Sequence, residues 1–427
     1  MSIHNKSMEK PKIMPTLFAE TALLPDGWAQ NVRVEIDASG RIENIHTNQS
    51  VLEIDTVLKD KALLPAPSNL HSHGFQRALA GLTETRGSSG QDSFWTWRTL
   101  MYSFLEHLTP EDMEAITAYA QIEMLEAGYG SVAEFHYVHH QPDGTPFHTP
   151  AETSHRIISA SAASGLGLTL LPVYYAQGGV DGRPLQGGQL RFKNHLDQYS
   201  RLMEGASAFI NTDHPDNRMG IAPHSLRAVS KSDLKALVET YANGPIHIHI
   251  AEQLGEVEEI SSAYGKRPVA WLLDNFDVGH NWCLVHATHL TEAEIKSLSR
   301  SHAVAGLCPI TEANLGDGVF DANSFMKQGG IIGLGTDSNV SISLIHEMRA
   351  LEYSQRLTLK GRAVLSADPK SNGRTLFDAI CKGSAQASGR TNGRPTPQRF
   401  HHWHDVTIMI LLLPIALSFL SAAEKLL

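Results

Sequence analysis

Leu63–Arg77, LLPAPSNLHSHGFQR, decides how the rest of the chain is read. An apolar, strand-like run (Ala62-Leu63-Leu64) meets Pro65 and Pro67, and the chain then delivers His71 and His73 two residues apart. In extended backbone, residues i and i+2 face the same side. Both imidazoles can therefore converge on one point, as a metal ion requires, and imidazole suits zinc and its borderline neighbours. A lone His-x-His is more often a hydrogen-bonded loop pair. The reading is decided by whether matching ligands follow.

The 427 residues allow one large domain and a smaller one. Apolar residues make up 42% and charged residues 19%, a globular balance. The net charge of −10, without a long basic run, argues against nucleic acid as a partner. Cys283, Cys308 and Cys381 are widely spaced and odd in number, so no disulfide framework is implied. The opening MSIHNKSMEKPKIM lacks the apolar core of a signal peptide, and a reducing cytoplasm is the expected location.

Residues 14–60 predict short strands: TLFAETALL, NVRVEID, a turn at Ser39-Gly40, and RIENIHT. Val32, Val34 and Ile36 alternate as in a small β layer preceding the main domain. From Lys61 the pattern becomes strand, loop, helix, repeated. Thr109-Pro110-Glu111-Asp112 opens a helix whose apolar stripe is Met113, Ile116, Ala120 and Met124, ending near Gly128. Ser230–Tyr241 is amphipathic, and Thr291/Glu294 form a capping box. Strands are predicted at Ala62, SVAEFHY, 168–173, 218–222, 245–250, 282–286, 303–308 and 331–335. Eight such repeats predict an α/β fold, a (β/α)8 TIM-like barrel, with a small β-sandwich domain built mainly from the N-terminus. The expected domains are 1–60 for the small β domain, 61–390 for the barrel and 391–427 for an atypical apolar tail. No Gly-x-Gly-x-x-Gly turn supports an open doubly wound sheet.

Just past these strands stand His71 and His73, Tyr137, His224, His249, His286 and Asp337, where barrels of this kind place catalytic groups. His71, His73, His249 and Asp337 would hold one divalent metal and leave room for water. Glu252, three residues beyond His249, can shuttle a proton to a leaving amine, and His286 can steady an oxyanion. Singly, each has a plain structural explanation; at successive strand ends they point to a site. His247 is read instead as a barrel-interior histidine.

HSH, HIAE, VHATH and GTDS, in this order, resemble the deaminase branch of the amidohydrolase superfamily. NLHSHGFQRALAGL, DSFWTWRTLMY, EFHYVHH and IAPHSLRAV are similar, more closely, to the formimidoylglutamate deiminases within it, over about residues 14–390. The resemblance implies one zinc per subunit (Fe2+ or another divalent ion being the alternative), a homodimer, and hydrolysis of N-formimino-L-glutamate to N-formyl-L-glutamate and ammonia. It implies metal ligands at His71, His73, His249 and Asp337, and catalytic roles for Glu252, His286 and Asp337. Substrate contacts are implied at Gln76, Arg98, Tyr137, His224 and Arg227. Two arginines suit a small dicarboxylate substrate. Trp95 and Trp97 beside Arg98 would either exclude water there or form a packing or dimer-interface cluster.

The tail departs from that resemblance. TNGRPTPQRFHHWHDVTIMILLLPIALSFLSAAEKLL carries an apolar run, Val406–Ala423, interrupted by Pro414. It borders on transmembrane length, but an altered C-terminus that has lost the closing strands is the more economical expectation, and no membrane attachment is expected. His401, His402 and His404 are expected to be solvated. The rival functions are deamination of guanine or an adenosine derivative, which would need a ring-stacking pocket, and a non-catalytic barrel scaffold, which would have no use for Glu252 and His286.

Overall fold

The structure, a computed structural model, describes residues 16–37, 42–83, 94–210, 216–367 and 369–390, and the backbone of Ile408–Met409. The chain divides into two units, Met1–Pro65 with Asn392–Leu427, and Ala66–Thr391.

In the first unit, β1 (Thr16–Leu24) pairs antiparallel with β2 (Gly27–Ile36), which pairs antiparallel with β3 (Ile42–His46). β4 (Asp55–Pro65) lies parallel to β1 on its other edge, and Ile408–Met409 pairs antiparallel with Leu64 and Pro65. The alternation in β2 buries Val32 and Val34 against Ala19, Ala22, Leu58 and Leu63. The turn expected at Ser39-Gly40 lies outside the described residues. So does the apolar tail, apart from Ile408–Met409; among the described residues no helix is long and apolar enough to cross a membrane.

One buried ion pair locks β1, β2 and β4. Asp55 accepts hydrogen bonds from Arg33 Nε at 3.0 Å, Thr16 Oγ1 at 2.7 Å and the Leu52 amide at 2.8 Å. Arg33 holds the Asp55 carboxyl down from 3.8 to about 2, against the opposing effect of burial. A depressed folded-state pKa gives stability that is complete above 3.8 and is lost as pH falls toward about 2. Asp55→Asn is therefore expected to cost about 1–3 kcal/mol at neutral pH. Urea titrations from neutral pH down through this window would show the gap between variant and wild type closing; a gap independent of pH would contradict the assignment.

In the second unit the elements alternate. β5 (Ser68–Ser72), α1 (Phe94–Leu105), α2 (Pro110–Ala127), β6 (Ser131–His136), α3 (Glu152–Ser164), β7 (Gly167–Tyr174) and α4 (Leu196–Phe209) come first. β8 (Arg218–Met219), β9 (Ala222–Pro223), α5 (Lys231–Thr240), β10 (Ile246–Ile250), α6 (Leu254–Tyr264), α7 (Pro268–Asn275) and β11 (Trp282–His286) follow. The last are α8 (Glu292–Ser301), β12 (Val304–Leu307), α9 (Pro309–Leu315), α10 (Ala322–Lys327), β13 (Ile331–Leu334), α11 (Leu344–Leu359) and α12 (Asn372–Ala387). The strands form two parallel ribbons, β5-β6-β7-β8 with β9 also on β7, and β10-β11-β12-β13. Parallel bridges at Ile221–Ile246 and Ser72–Asp337 join the ribbons at both seams. The result is a closed (β/α)8 barrel. Its strands bury Leu70, Cys283, Val285, Val304 and Cys308 in one cluster on one face, and Leu168, Leu170, Ile248, Leu284, Ala305 and Leu307 on the alternate face, in the cluster shared with the helices.

The anticipated caps are present. Thr109 and Asp112 form a capping box on α2, which ends at left-handed Gly128; Ser230 caps α5, and Thr291 and Glu294 cap α8. Two strands differ from the sequence reading. The run at Ala62 belongs to β4 of the small sheet, and the barrel's first strand starts at Ser68 instead. Proline has no N–H for a ladder, so Pro65 and Pro67 separate the two strands. The strand expected at 218–222 is broken into β8 and β9 at Gly220, which passes so close to Pro245 that a Cβ would lie 2.3 Å from its carbonyl oxygen.

Candidate active site

His71 is fully buried in β5 and His73 follows at its end; His249 lies in β10, and Asp337 follows β13. Asp337 Oδ1 is 3.4 Å from His71 Nε2 and 3.2 Å from His73 Nε2, and His249 Nε2 is 3.1 Å from His71 Nε2. One donor atom from each of the four residues lies within 4.8 Å of all the others. His73 Nδ1 faces the Phe135 carbonyl at 2.8 Å and His249 Nδ1 the His224 carbonyl at 3.3 Å. A carbonyl can only accept, so Nδ1 carries the proton on both rings and each Nε2 keeps its lone pair for a ligand bond. Burial pushes His71 down to about 3 and His249 well below the usual range, which favours the neutral, ligating form. Burial alone would raise Asp337, but the bonds to His71 and His73 hold it well below the usual carboxylate range. These four residues could hold a divalent metal ion, and their donor set suits one.

The strand ends are bent into this site. Ala251, His286, Ala287 and Asp337 have φ of 52°, 66°, 48° and 47°, a left-handed conformation that non-glycine residues seldom adopt. Glu252 follows the bend after β10, with its backbone held by Glu256, whose carboxylate accepts from the Ala251 and Glu252 amides at 3.1 and 3.0 Å. Its own carboxyl is pushed up, first by burial and then by Asp337 and Glu256. His286 Nε2 lies 3.7 Å from Glu252 and 3.8 Å from Asp337, and its Nδ1 lies 3.3 Å from Glu312. Burial would lower His286, but the surrounding carboxylates of Glu252, Glu312 and Asp337 raise it to about 10.

A cavity of about 70 Å³ opens beside these groups. At roughly 10–15 Å³ per water, that is space for about five waters or a compact polar ligand. Gln76, Arg98, Tyr137, His224 and Arg227, all singled out in the sequence, line it. Gln76 donates to Tyr137 Oη at 2.7 Å, and Arg98 lies 5.5 Å over the Tyr102 ring. Arg227 Nε is buried without a hydrogen-bond partner among the described residues. Burial opposes its charge, but Glu256, Tyr175, Glu252 and Glu259 together raise its pKa. Trp97 lines the cavity; the side chain of Trp95 lies outside the described residues. His247 is apart from the site, buried and bonded to the Ala387 carbonyl at 2.7 Å, as expected of a barrel-interior histidine.

Residues 62–393 match the amidohydrolase family, and residues 14–55 match the N-terminal domain of formimidoylglutamate deiminase HutF. The chain belongs to the amidohydrolase family. A formimidoylglutamate deiminase of Pseudomonas aeruginosa is 48% identical over 382 residues, covering 89% of this amidohydrolase and 83% of that protein. The crystal structure of an amidohydrolase from Brucella melitensis matches with a TM-score of 0.85 at 47% identity, covering 88% of this chain and 83% of that one. A zinc-bound adenosine deaminase from Xanthomonas campestris shares the fold, with a TM-score of 0.72 at 18% identity and 97% of each chain covered.

This amidohydrolase also places residues at the site that the sequence reading passes over. Glu312 is the partner of His286, and it accepts from the Cys308 amide at 2.8 Å as well. Its signal was Cys308-Pro309 followed by an acid three residues later, a helix start beside a strand end. Met101, Tyr102, Tyr175, Phe192, Thr311, Leu315 and Ser338 also line the cavity.

Proposed function

We propose that the chain is a zinc-dependent hydrolase that converts N-formimino-L-glutamate to N-formyl-L-glutamate and ammonia in histidine degradation. The observation that carries this is the pair Arg98 and Arg227 lining the same cavity as Glu252, His286 and the metal-binding group. Guanidinium pairs carboxylate bidentately, so two arginines suit the two carboxylates of the glutamate moiety. A purine or a nucleoside has no carboxylate for either. The similarity to the Pseudomonas deiminase points to the same substrate. Zinc as the ion, a homodimer as the assembly and the cytoplasm as the location complete the proposal; three imidazoles and one carboxylate are donors that zinc favours.

His71, His73, His249 and Asp337 would hold a divalent ion, whose chemistry would be to make a water acidic enough to attack near neutral pH. Asp337 accepts the proton of the attacking water. As the C–O bond forms at the formimino carbon, the C=N pair moves to nitrogen, which takes a proton from Glu252. His286, oriented by Glu312, donates to the developing oxyanion through Nε2. Asp337 then passes its proton to Glu252, which delivers it to nitrogen and takes up the proton of the new hydroxyl. The oxyanion left by that loss is the one His286 steadies, and both carboxyl groups end as they began. The C–N bond then breaks, releasing ammonia and leaving the formyl carbonyl. Arg98 and Arg227 fix the carboxylates, while Gln76, Tyr137 and His224 close the cavity around the stem.

Ammonia release from N-formimino-L-glutamate, guanine and adenosine, run in parallel on zinc-loaded protein, tests this reading. Turnover of the formimino acid alone is expected. Arg227→Ala should raise its KM by about ten- to a hundred-fold, the scale of a lost charge-assisted contact. Turnover of a purine, or a KM unmoved in the variant, would overturn the assignment.

A further inference from the structure

Arg191 is the most deeply buried arginine among the described residues, 2% exposed, and it lies outside the cavity lining. Its guanidinium donates to three backbone carbonyls. Nε donates to His140 O at 2.8 Å, and Nη1 donates to Leu108 O at 3.0 Å and to Leu105 O. Leu105 is the last residue of α1, so a cation sits on the carbonyl-rich end of that helix, where a positive charge is favoured. The Arg191 carbonyl in turn accepts from the His139 and His140 amides at 2.9 and 3.0 Å. Burial lowers Arg191 to about 10, which leaves it cationic at neutral pH.

One side chain thus ties together three segments, and each carries part of the cavity wall. Trp97, Arg98, Met101 and Tyr102 come from α1; Tyr137 precedes the His139–His140 segment; Phe192 is the neighbour of Arg191 itself. The fit between two of these segments is close. A Cβ at Gly188 would come within 2.8 Å of the Tyr102 ring. None of the metal-binding residues, nor Glu252 or His286, lies on these segments.

We infer that Arg191 is a positioning residue for substrate binding: it clamps the end of α1 onto the loop after β6 and so sets the place of Arg98 in the cavity. Lysine can supply the charge but not the planar fork that reaches three carbonyls, so the effect belongs to guanidinium geometry. This inference rests on the proposed role of Arg98 as a carboxylate clamp.

The test is kinetics on Arg191→Met and Arg191→Lys, with Arg98→Ala and the double variant Arg98→Ala/Arg191→Met, on zinc-loaded full-length protein. Amide hydrogen exchange over residues 94–108 is measured alongside. Arg191→Met is expected to raise KM for N-formimino-L-glutamate about tenfold or more while kcat changes less than about threefold. Arg191→Lys should restore only part of the loss. In the Arg98→Ala background the same change should move KM by less than about twofold, because the two act through one contact. Exchange over 94–108 should quicken in Arg191→Met, with β10–β13 unchanged. An equal fold-change in both backgrounds, a fall confined to kcat, or a wild-type Arg191→Lys would each overturn the inference. If Arg98→Ala alone leaves KM unchanged, the clamp reading fails instead; the clamping of α1 then stands or falls on exchange alone, and unaltered exchange overturns it.

Discussion

Glu252→Gln is expected to lower kcat for ammonia release by about 10²–10⁴, the range for a lost general acid–base group, with metal content and melting temperature close to wild type. Stability should survive because the turn that presents Glu252 is held by a different side chain: the Ala251 and Glu252 amides both donate to Glu256. Glutamine keeps the shape and loses the proton. The carboxyl is pushed up chiefly by burial, with His286 opposing, so the acid form that protonates nitrogen persists to higher pH than in water. The wild-type rate should therefore fall on the alkaline side as Glu252 ionises, and the variant's residual rate should lack that limb. Steady-state assays across pH, with metal content measured on the same samples, check both parts. A kcat within about threefold of wild type would show that the proton reaches the departing nitrogen by another route.

The metal-binding group was legible because strand periodicity and ligand chemistry converge. A two-residue spacing at the end of one strand, and single donors at the ends of two others, are arrangements that a barrel brings to one mouth, and His71, His73, His249 and Asp337 do meet there. Glu312 was not legible for the same reason. It projects from the first turn of α9, where an early acid reads as ordinary helix-dipole compensation, and only contact with His286 gives it another purpose. The aromatic wall was hidden differently. Tyr102, Tyr175 and Phe192 carry the same apolar signal as core residues, and no periodicity separates a side chain facing a cavity from one facing a helix. The two misplaced strand boundaries have local causes: Pro65 and Pro67 cut what looks like one apolar approach to His71, and Gly220 splits a strand whose side chains alone look continuous.

Asp337→Asn should be more damaging than the loss of Glu252, with kcat falling at least about 10³-fold and metal content reduced, because one carboxylate serves two tasks. Oδ1 faces both His71 and His73, where it would complete the donor set, and Oδ2 lies toward His286, free of those two contacts and available for the proton the proposed reaction takes from water. Asparagine tolerates the left-handed backbone at φ 47° and fills the same volume, so the fold should be retained. It is a weaker ligand and accepts no proton at neutral pH. Chelation separates the two tasks. Wild-type protein stripped of its metal should be inactive and should recover fully when zinc is returned. Asp337→Asn, given enough zinc to fill the site, should bind the ion through three imidazoles and still turn over slowly, since the ion alone cannot replace the proton acceptor. If excess zinc restored the variant to wild-type rates, Asp337 would be a ligand only, and the proton would have to pass to another acceptor such as Glu252.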